Sequence, residues 1–144
     1  MTLRSILFGG ATIEGFIANL GCAALRVYVG FAVAFNHGIN KLPPSESFIS
    51  GVQNMGFPMP EAFAMVAAVS EFAGGLLLAL GLLTRHAAFF ILATMFVAGF
   101  IRHASDPFGG GKELAITFAF CAMMFIAIGS GKFALDALVH RRQV

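Results

Sequence analysis

Two charged residues, Arg26 and Glu71, lie inside long apolar segments. Almost every other charge between Gly15 and Gly131 falls at a break between such segments. That arrangement constrains the solvent before it constrains the fold. Charged residues make up 11% of this 144-residue chain and hydrophobic residues 58%, whereas an ordinary soluble domain carries roughly 25% charged residues. So few charges do not cover the surface of a soluble protein of this size. The chain reads as an integral membrane protein, and its intramembrane charges mark where function is sought first.

A helix needs about 20 mostly apolar residues to cross a bilayer. Four such spans fit within a single domain, residues 1–144, at about 17–40, 61–83, 87–104 and 113–131. The third contains the run Ala87 to Ile101, flanked by Arg85-His86 and Arg102-His103. That run covers only ~22 Å at 1.5 Å per residue, so its arginines snorkel or the helix continues past His103. Alternating ten-residue segments are absent, which excludes a β-barrel. The expected fold class is therefore all-α: an integral membrane four-helix bundle with a short N-terminal interfacial helix and a short helix in the first outer loop. The interfacial helix would place Ile6, Leu7, Ile13, Phe16 and Ile17 in the headgroup region. No long hydrophobic core precedes a small-residue cleavage site, so a cleavable signal peptide is not expected.

With four spans, both termini share one side. That side holds Arg4, Arg85, Lys132, Arg141 and Arg142, whereas the other holds Lys41, Arg102 and Lys112 together with Glu46, Glu61, Asp106 and Glu113. The positive-inside rule then puts both termini in the cytoplasm. In the first outer loop Pro43-Pro44 ends a helix and Ser45-Glu46 starts another. Residues 46–54 are expected to lie on the membrane, with Phe48, Ile49 and Val52 as their apolar face. The second outer loop holds Gly109-Gly110-Gly111, but no Walker-type Gly-Lys-Ser/Thr follows, so it does not read as a phosphate cradle. A net charge of +2 without a basic stripe gives no reason to expect nucleic acid as a partner. Cys22 and Cys121 read as small packing residues. Ala64, Ala68 and Gly75 recur at helical spacing with Glu71 and Leu78. Small residues let backbones approach closely in lipid, either within the bundle or across a homo-oligomer face.

On the first span Arg26 and His37 fall within about 20° of each other on a 100°-per-residue wheel. Gly30 and Val33 lie between them, and Asn36, Asn40 and Lys41 cluster near its outer end. Glu71 lies ~15 Å below the outer end of its own span, where an unpaired carboxylate would take up a proton. Helical side chains lean toward their own N-termini. Antiparallel spans therefore separate Arg26 from Glu71 and bring Glu71 toward His37 and His103, with Glu113 at the same membrane face. The expected site has Glu71 and His103 as its catalytic groups, and Arg26, His37, Lys41 and Glu113 around a bound cofactor. Three readings fit this constellation: a structural hydrogen-bond network, a site for the carbonyls of a quinone head, and a haem or non-haem metal site of two His and a carboxylate. The histidines lack local ligand spacing, which counts against the metal.

Taken in order, these residues resemble the DoxX (DoxX/DoxD-like) family of small four-helix membrane proteins. The resemblance is carried by Arg26-x3-Gly30 with His37-Gly38-x2-Lys41, by Met55-Gly56-Phe57-Pro58, and by Glu71-x2-Gly74-Gly75-Leu76 with Gly81-x2-Thr84-Arg85. It continues through His103 and Glu113 to Gly129-Ser130-Gly131-Lys132-Phe133-Ala134-Leu135-Asp136. It implies four helices in a bacterial cytoplasmic (inner) membrane, N-in and C-in. Relatives in this family serve as membrane subunits of oxidoreductases, one of them thiosulfate-oxidising and quinone-reducing, and others belong to thiol and oxidative-stress systems. The family has no settled catalytic residues to carry over. The resemblance implies a subunit exchanging electrons or protons with quinone, with a redox partner protein on another chain and membrane lipid around it. The competing expectation is a non-enzymatic scaffold or assembly protein whose buried polar groups are structural. Asp136 is expected to cap or pair at the cytoplasmic surface.

Overall fold

The structure, a computed structural model, describes residues 12–141. Helix α1 spans Phe16–Phe31 and continues through a π-helical stretch, Ala32–Gly38, into a 3₁₀ turn at Ile39–Lys41. Next come α2 (Glu46–Asn54), α3 (Pro60–Leu80), and α4 (Thr84–Val97), which runs on through a second π-helical stretch, Ala98–Arg102. Helices α5 (Gly110–Ile128) and α6 (Leu135–Arg141) complete the chain order. Four continuous helical runs, Phe16–Lys41, Pro60–Leu80, Thr84–Arg102 and Gly110–Ile128, are long and apolar enough to cross a membrane. There is no strand among the described residues.

Most boundaries follow from local chemistry. The Ser45 hydroxyl accepts from the Phe48 amide at 3.3 Å and caps α2. Pro60 opens α3, where its missing N–H is no loss. Gly81, at φ 67°, closes α3 in the left-handed conformation. The third span begins at Thr84, three residues before the run of apolar residues, and stops at Arg102 without passing His103. The fourth starts at Gly110 and ends at Ile128, three residues earlier at each end than expected. The expected interfacial helix falls mainly on residues outside those described, while Phe16 and Ile17, assigned to it, open the first span instead.

Consecutive spans pack as neighbours in an up-and-down order, α1 on α3, α3 on α4 and α4 on α5, while α1 meets α5 only sparsely. Val29, Val33, Leu78, Ile91, Met95, Phe118 and Phe125 form the core, and Cys22 and Cys121 pack against it. Phe89, Phe90, Phe96, Phe100 and Phe120 stay exposed on the flanks. In a bilayer those rings meet acyl chains rather than water. Helix α2 covers the residues expected of it. It packs on the first half of α3, with Val52 buried and Phe48 and Ile49 half-buried.

The tightest seam joins α1 to α3. A Cβ on Gly30 would overlap the Gly75 carbonyl and the Ala79 amide, and one on Gly38 would overlap the Glu71–Phe72 backbone. Gly30, Ala34 and Gly38 thus form a small-residue stripe against Gly75 and Ala79, the close approach that lipid-embedded helices use. The π-helical stretch sets which residues reach this seam. Its i→i+5 bonds place an extra residue in the turn, so positions beyond it lag by about 100° on the wheel. Gly38 takes the position that regular α-geometry gives to His37, and His37 swings toward α5.

Arg26 secures the far end of the same seam. Its residue is 2% exposed, and its Nη1 donates to the Leu78 and Ala79 carbonyls at 2.8 Å each. Its Nη2 donates to the Phe133 carbonyl at 2.7 Å. The guanidinium therefore satisfies the orphan carbonyls at the C-terminus of α3. Asp136 does the converse for α4: its carboxylate accepts from the Leu83 amide at 2.8 Å, the Thr84 amide at 3.0 Å and the Thr84 hydroxyl at 2.8 Å. This is the capping role expected of it.

If backbone contact at the α1–α3 seam holds the bundle, Gly38→Val should lower stability by about 1–3 kcal/mol, the usual cost of overpacking. Gly21→Ala, at a position with open space around it, should be neutral or slightly stabilising. Thermal unfolding of the two variants in detergent, monitored by circular dichroism, checks both.

Candidate functional site

Glu71 is 1% exposed and lies in the middle of α3. Its partner is Lys41, at the end of the 3₁₀ turn that finishes the first span. The Lys41 Nζ stands 2.6 Å from both Oε1 and Oε2 of Glu71. The pair is asymmetric toward solvent, because the Lys41 side chain is 31% exposed and that of Glu71 only 1%. The same ammonium lies 5.4 Å from the centre of the Phe48 ring on α2, within cation–π range. An ammonium has three N–H donors. Two suffice for the carboxylate, which leaves a third that no hydrogen bond among the described residues uses.

Beside the pair is a cavity of about 630 Å³ between α2, α3 and α4. Its size lies within the ~300–1,000 Å³ typical of small-molecule sites. Lys41, Ser70 and Glu71 supply polar groups on one wall, and Arg102 and His103 on another. Phe48, Phe57, Phe63 and Phe90 make much of the rest apolar. Val66 and Phe90 are also exposed on the flank of the bundle. The cavity therefore reaches the apolar flank of the bundle, beside exposed side chains of α3 and α4.

The six residues expected to form a site divide into two groups. Lys41, Glu71 and His103 share the cavity. Arg26, His37 and Glu113 are not among its lining residues. Arg26 caps α3 near Leu78, seven residues or about 10 Å further along the helix than Glu71. His37, turned by the π-helical stretch, sits edge-on to Phe118 of α5 with ring centroids 5.8 Å apart. Glu113 is exposed at the start of α5. The expected separation of Arg26 from Glu71 is found, and the group bonded to Glu71 is Lys41; His37 lies within electrostatic range of Glu71 without being bonded to it. The signal for Lys41 lies in its own chemistry: a long cationic side chain on the last turn of α1 leans back toward that helix's N-terminus, into the level of Glu71. Asp106 stands in no telling sequence context, yet its Oδ2 lies 2.6 Å from the His103 Nδ1. Among the described residues, no group of three His, Cys, Asp or Glu side chains is placed to hold a metal ion.

This set of groups on a lipid-accessible four-helix bundle can be compared with known proteins. The DoxX family profile matches residues 21–104. The chain belongs to the DoxX family. Its match includes most of the first span, all of the second and third, and both members of the Lys41–Glu71 pair. The chain is 33% identical over 120 residues to an uncharacterized protein of Haemophilus influenzae, covering 79% of this chain and 87% of that one. It is 30% identical over 123 residues to the Bacillus subtilis protein named "Putative oxidoreductase CatD", covering 85% and 90% respectively. No solved structure matches it significantly. This DoxX protein is thus a multi-pass membrane protein.

Removing one partner of a buried ion pair leaves a charge without compensation, at a cost of about 3–5 kcal/mol. Removing both does not. Lys41→Met should therefore destabilise this DoxX protein strongly, while the double variant Lys41→Met/Glu71→Gln recovers most of the loss. A double-mutant cycle on thermal midpoints in detergent measures the coupling, and additive losses would show that the pair does not hold the fold.

Proposed function

We propose that this DoxX protein is the membrane subunit of a quinone-linked redox system, with the cavity at Lys41–Glu71 as its quinone site and the Arg26 end of the bundle facing the cytoplasm of a bacterial inner membrane. The observation that carries this reading is the joining of a buried ion pair to a cavity that reaches the apolar flank of the bundle. A ligand dissolved in lipid reaches such a cavity without crossing water, and its polar head then meets the Lys41 ammonium on the wall. The "oxidoreductase" in the name of the Bacillus subtilis relative accords with it.

A quinone, when bound, supplies two-electron, two-proton redox chemistry. Lys41 would donate to one of its carbonyl oxygens through its third N–H. His103, on the opposite wall, would serve the other oxygen. Phe48, Phe63 and Phe90 would pack on the ring and tail. Glu71 would hold the proton, as the carboxylate that pairs with Lys41 and lines the same cavity. Arg26, His37 and Glu113 have no part in this site. Electrons would come from a redox partner protein on another chain.

One observation favours a second reading. Lys41 reaches both oxygens of Glu71 and ties α1 to α3, which a purely structural clasp in a scaffold protein also requires.

Extraction of small molecules from the protein purified in mild detergent, with identification by mass spectrometry, separates the two readings. Copurifying ubiquinone or menaquinone, retained by Asp136→Asn but reduced about tenfold or more by Lys41→Met or Glu71→Gln, supports the quinone site, a loss of at least ~1.4 kcal/mol in binding. Absence of both quinones, or equal retention by all variants, overturns it in favour of the scaffold.

A further inference from the structure

The Lys41–Glu71 pair accounts for one polar wall of the cavity and leaves a second unexplained. There the third span ends in a π-helical stretch, Ala98–Arg102, and His103 comes next in the chain. The ring is fixed on two sides. Its Nδ1 lies 2.6 Å from the Asp106 Oδ2. Its Cε1–Nε2 edge lies over Gly111, where an added Cβ would come within 3.0 Å of Cε1 and 3.1 Å of Nε2. Lys112 steadies the intervening loop, with its Nζ donating to the Ala104 carbonyl at 2.8 Å and the Asp106 carbonyl at 3.1 Å. Side-chain exposure changes across the pair: 51% at Asp106 and 30% at His103. His103 lines the same cavity as Glu71, which is 1% exposed.

We propose that Asp106 and His103 form the proton port of the Lys41–Glu71 cavity, with Asp106 as the positioning residue. A carboxylate at 2.6 Å from Nδ1 accepts that nitrogen's N–H and fixes the tautomer. The second nitrogen, Nε2, is then the one that takes up and releases protons. The port carries one proton in each direction without any change of oxidation state. Nε2 takes a proton from water at the membrane face, where Asp106 is half-exposed, and water in the cavity that His103 and Glu71 both line carries it on to the Glu71 carboxylate. His103 returns to its neutral form and Glu71 becomes a carboxylic acid. The cavity, about 630 Å³ in volume, is lined by Lys41, Ser70, Glu71 and His103, and a roomy site with polar partners is what a bridging water needs. Charged and titratable groups around His103 and Glu71 are Arg102 on the helix before His103, Asp106 in the loop, Lys112 and Glu113 at the start of α5, Lys41 with Glu71 across the cavity, and His37 on the same span as Lys41, close enough to both Glu71 and Lys41 to feel their charge. The role assigned to Glu71 under the quinone reading is the one this port would serve, and to that extent the inference rests on that reading.

The test needs no ligand, so the two ideas fail separately. In Lys41→Met, Glu71 has lost its counter-ion and takes a proton as pH falls. Full-length protein in lipid nanodiscs is subjected to a rapid pH drop, and the carboxylic-acid C=O stretch of Glu71 is tracked by infrared spectroscopy, with Lys41→Met/Glu71→Gln identifying the band. Adding Asp106→Asn or His103→Gly to Lys41→Met should slow the appearance of the band by about tenfold or more, well within the ~10²–10⁴-fold that a positioned acid–base group contributes. Exogenous imidazole should restore the rate in the His103→Gly background and not in the Asp106→Asn one. Asp106 is half-exposed, so Asp106→Asn is expected to fold; because Lys41→Met is itself destabilised, rates are read well below its thermal midpoint, and the thermal midpoints of Lys41→Met and of each variant added to it show that all are folded at that temperature. Rates unchanged in Asp106→Asn, or slowed in His103→Gly without imidazole rescue, overturn the port. Slowed and rescued rates in a protein that retains no quinone would leave the port standing and remove the quinone reading.

Discussion

A carboxylate in the middle of an apolar helix is tolerable only with a counter-charge held against it, and in this protein much else is arranged to keep that counter-charge in place. Lys41 meets Glu71 because the first span ends at the level of Glu71 instead of running beside α3 to its start. It ends there because Arg26 is bound to the C-terminal carbonyls of α3 and because Gly30 and Gly38 let the two backbones touch. Those two constraints fix the axial register between the spans. Beyond the Arg26 contact the first span continues only as far as Lys41, and the first half of α3 is left without it alongside. Helix α2 covers part of that exposed length, and the cavity is the part that stays uncovered.

The π-helical stretches belong to the same arrangement. Each lies in the last turns of a span that runs toward the cavity end, and each is succeeded within a few residues by a group on the cavity wall, Lys41 in one case and His103 in the other. A π-turn rotates the residues after it by one position of the helix wheel. That rotation places Gly38 against α3 and lets Lys41 turn inward behind it. Regular α-helical geometry would put an imidazole at the tight seam, where the Glu71–Phe72 backbone leaves no room even for a Cβ.

The same geometry separates the legible parts of the sequence from the hidden ones. Segment length and apolar content identify four spans, because a bilayer sets a minimum length for any helix that crosses it. Pro43-Pro44 and Ser45 mark helix ends through local backbone chemistry that does not depend on tertiary context. The capping role of Asp136 is legible from its place just after the last span. Arg26 and Glu71 are conspicuous as charges in apolar segments, and the lean of their side chains separates them correctly. Rotation about the helix axis is concealed. A wheel drawn at a uniform 100° per residue carries no sign of a π-turn at Ala32–Gly38, so it places His37 on the Arg26–Gly30 face that Gly38 occupies instead, and it does not single out Lys41 as the counter-ion of Glu71. Asp106 is hidden for a different reason: its pairing with His103 depends on a loop whose shape is set by Lys112 and Gly111, none of which forms a recognisable spacing.

The two ends of the bundle divide its polar chemistry. At the Arg26 end, charged and amide side chains bond mainly to backbone: Arg26 to three carbonyls, Asp136 to two amides, and Asn19 to the Ile13 and Gly15 carbonyls and the Lys132 amide. Backbone partners are fixed by the fold, and a side chain committed to them has little reason to exchange. At the Lys41 end the partners are other side chains, Lys41 with Glu71 and His103 with Asp106. Lys41 keeps a donor unused, and His103 keeps a ring nitrogen outside its pair. Groups paired in this way can change partners or protonation state without unfolding a helix terminus. A polar end built on backbone holds a membrane bundle together, and one built on exchangeable side chains, beside a cavity that reaches the bundle's apolar flank, is where a ligand can compete.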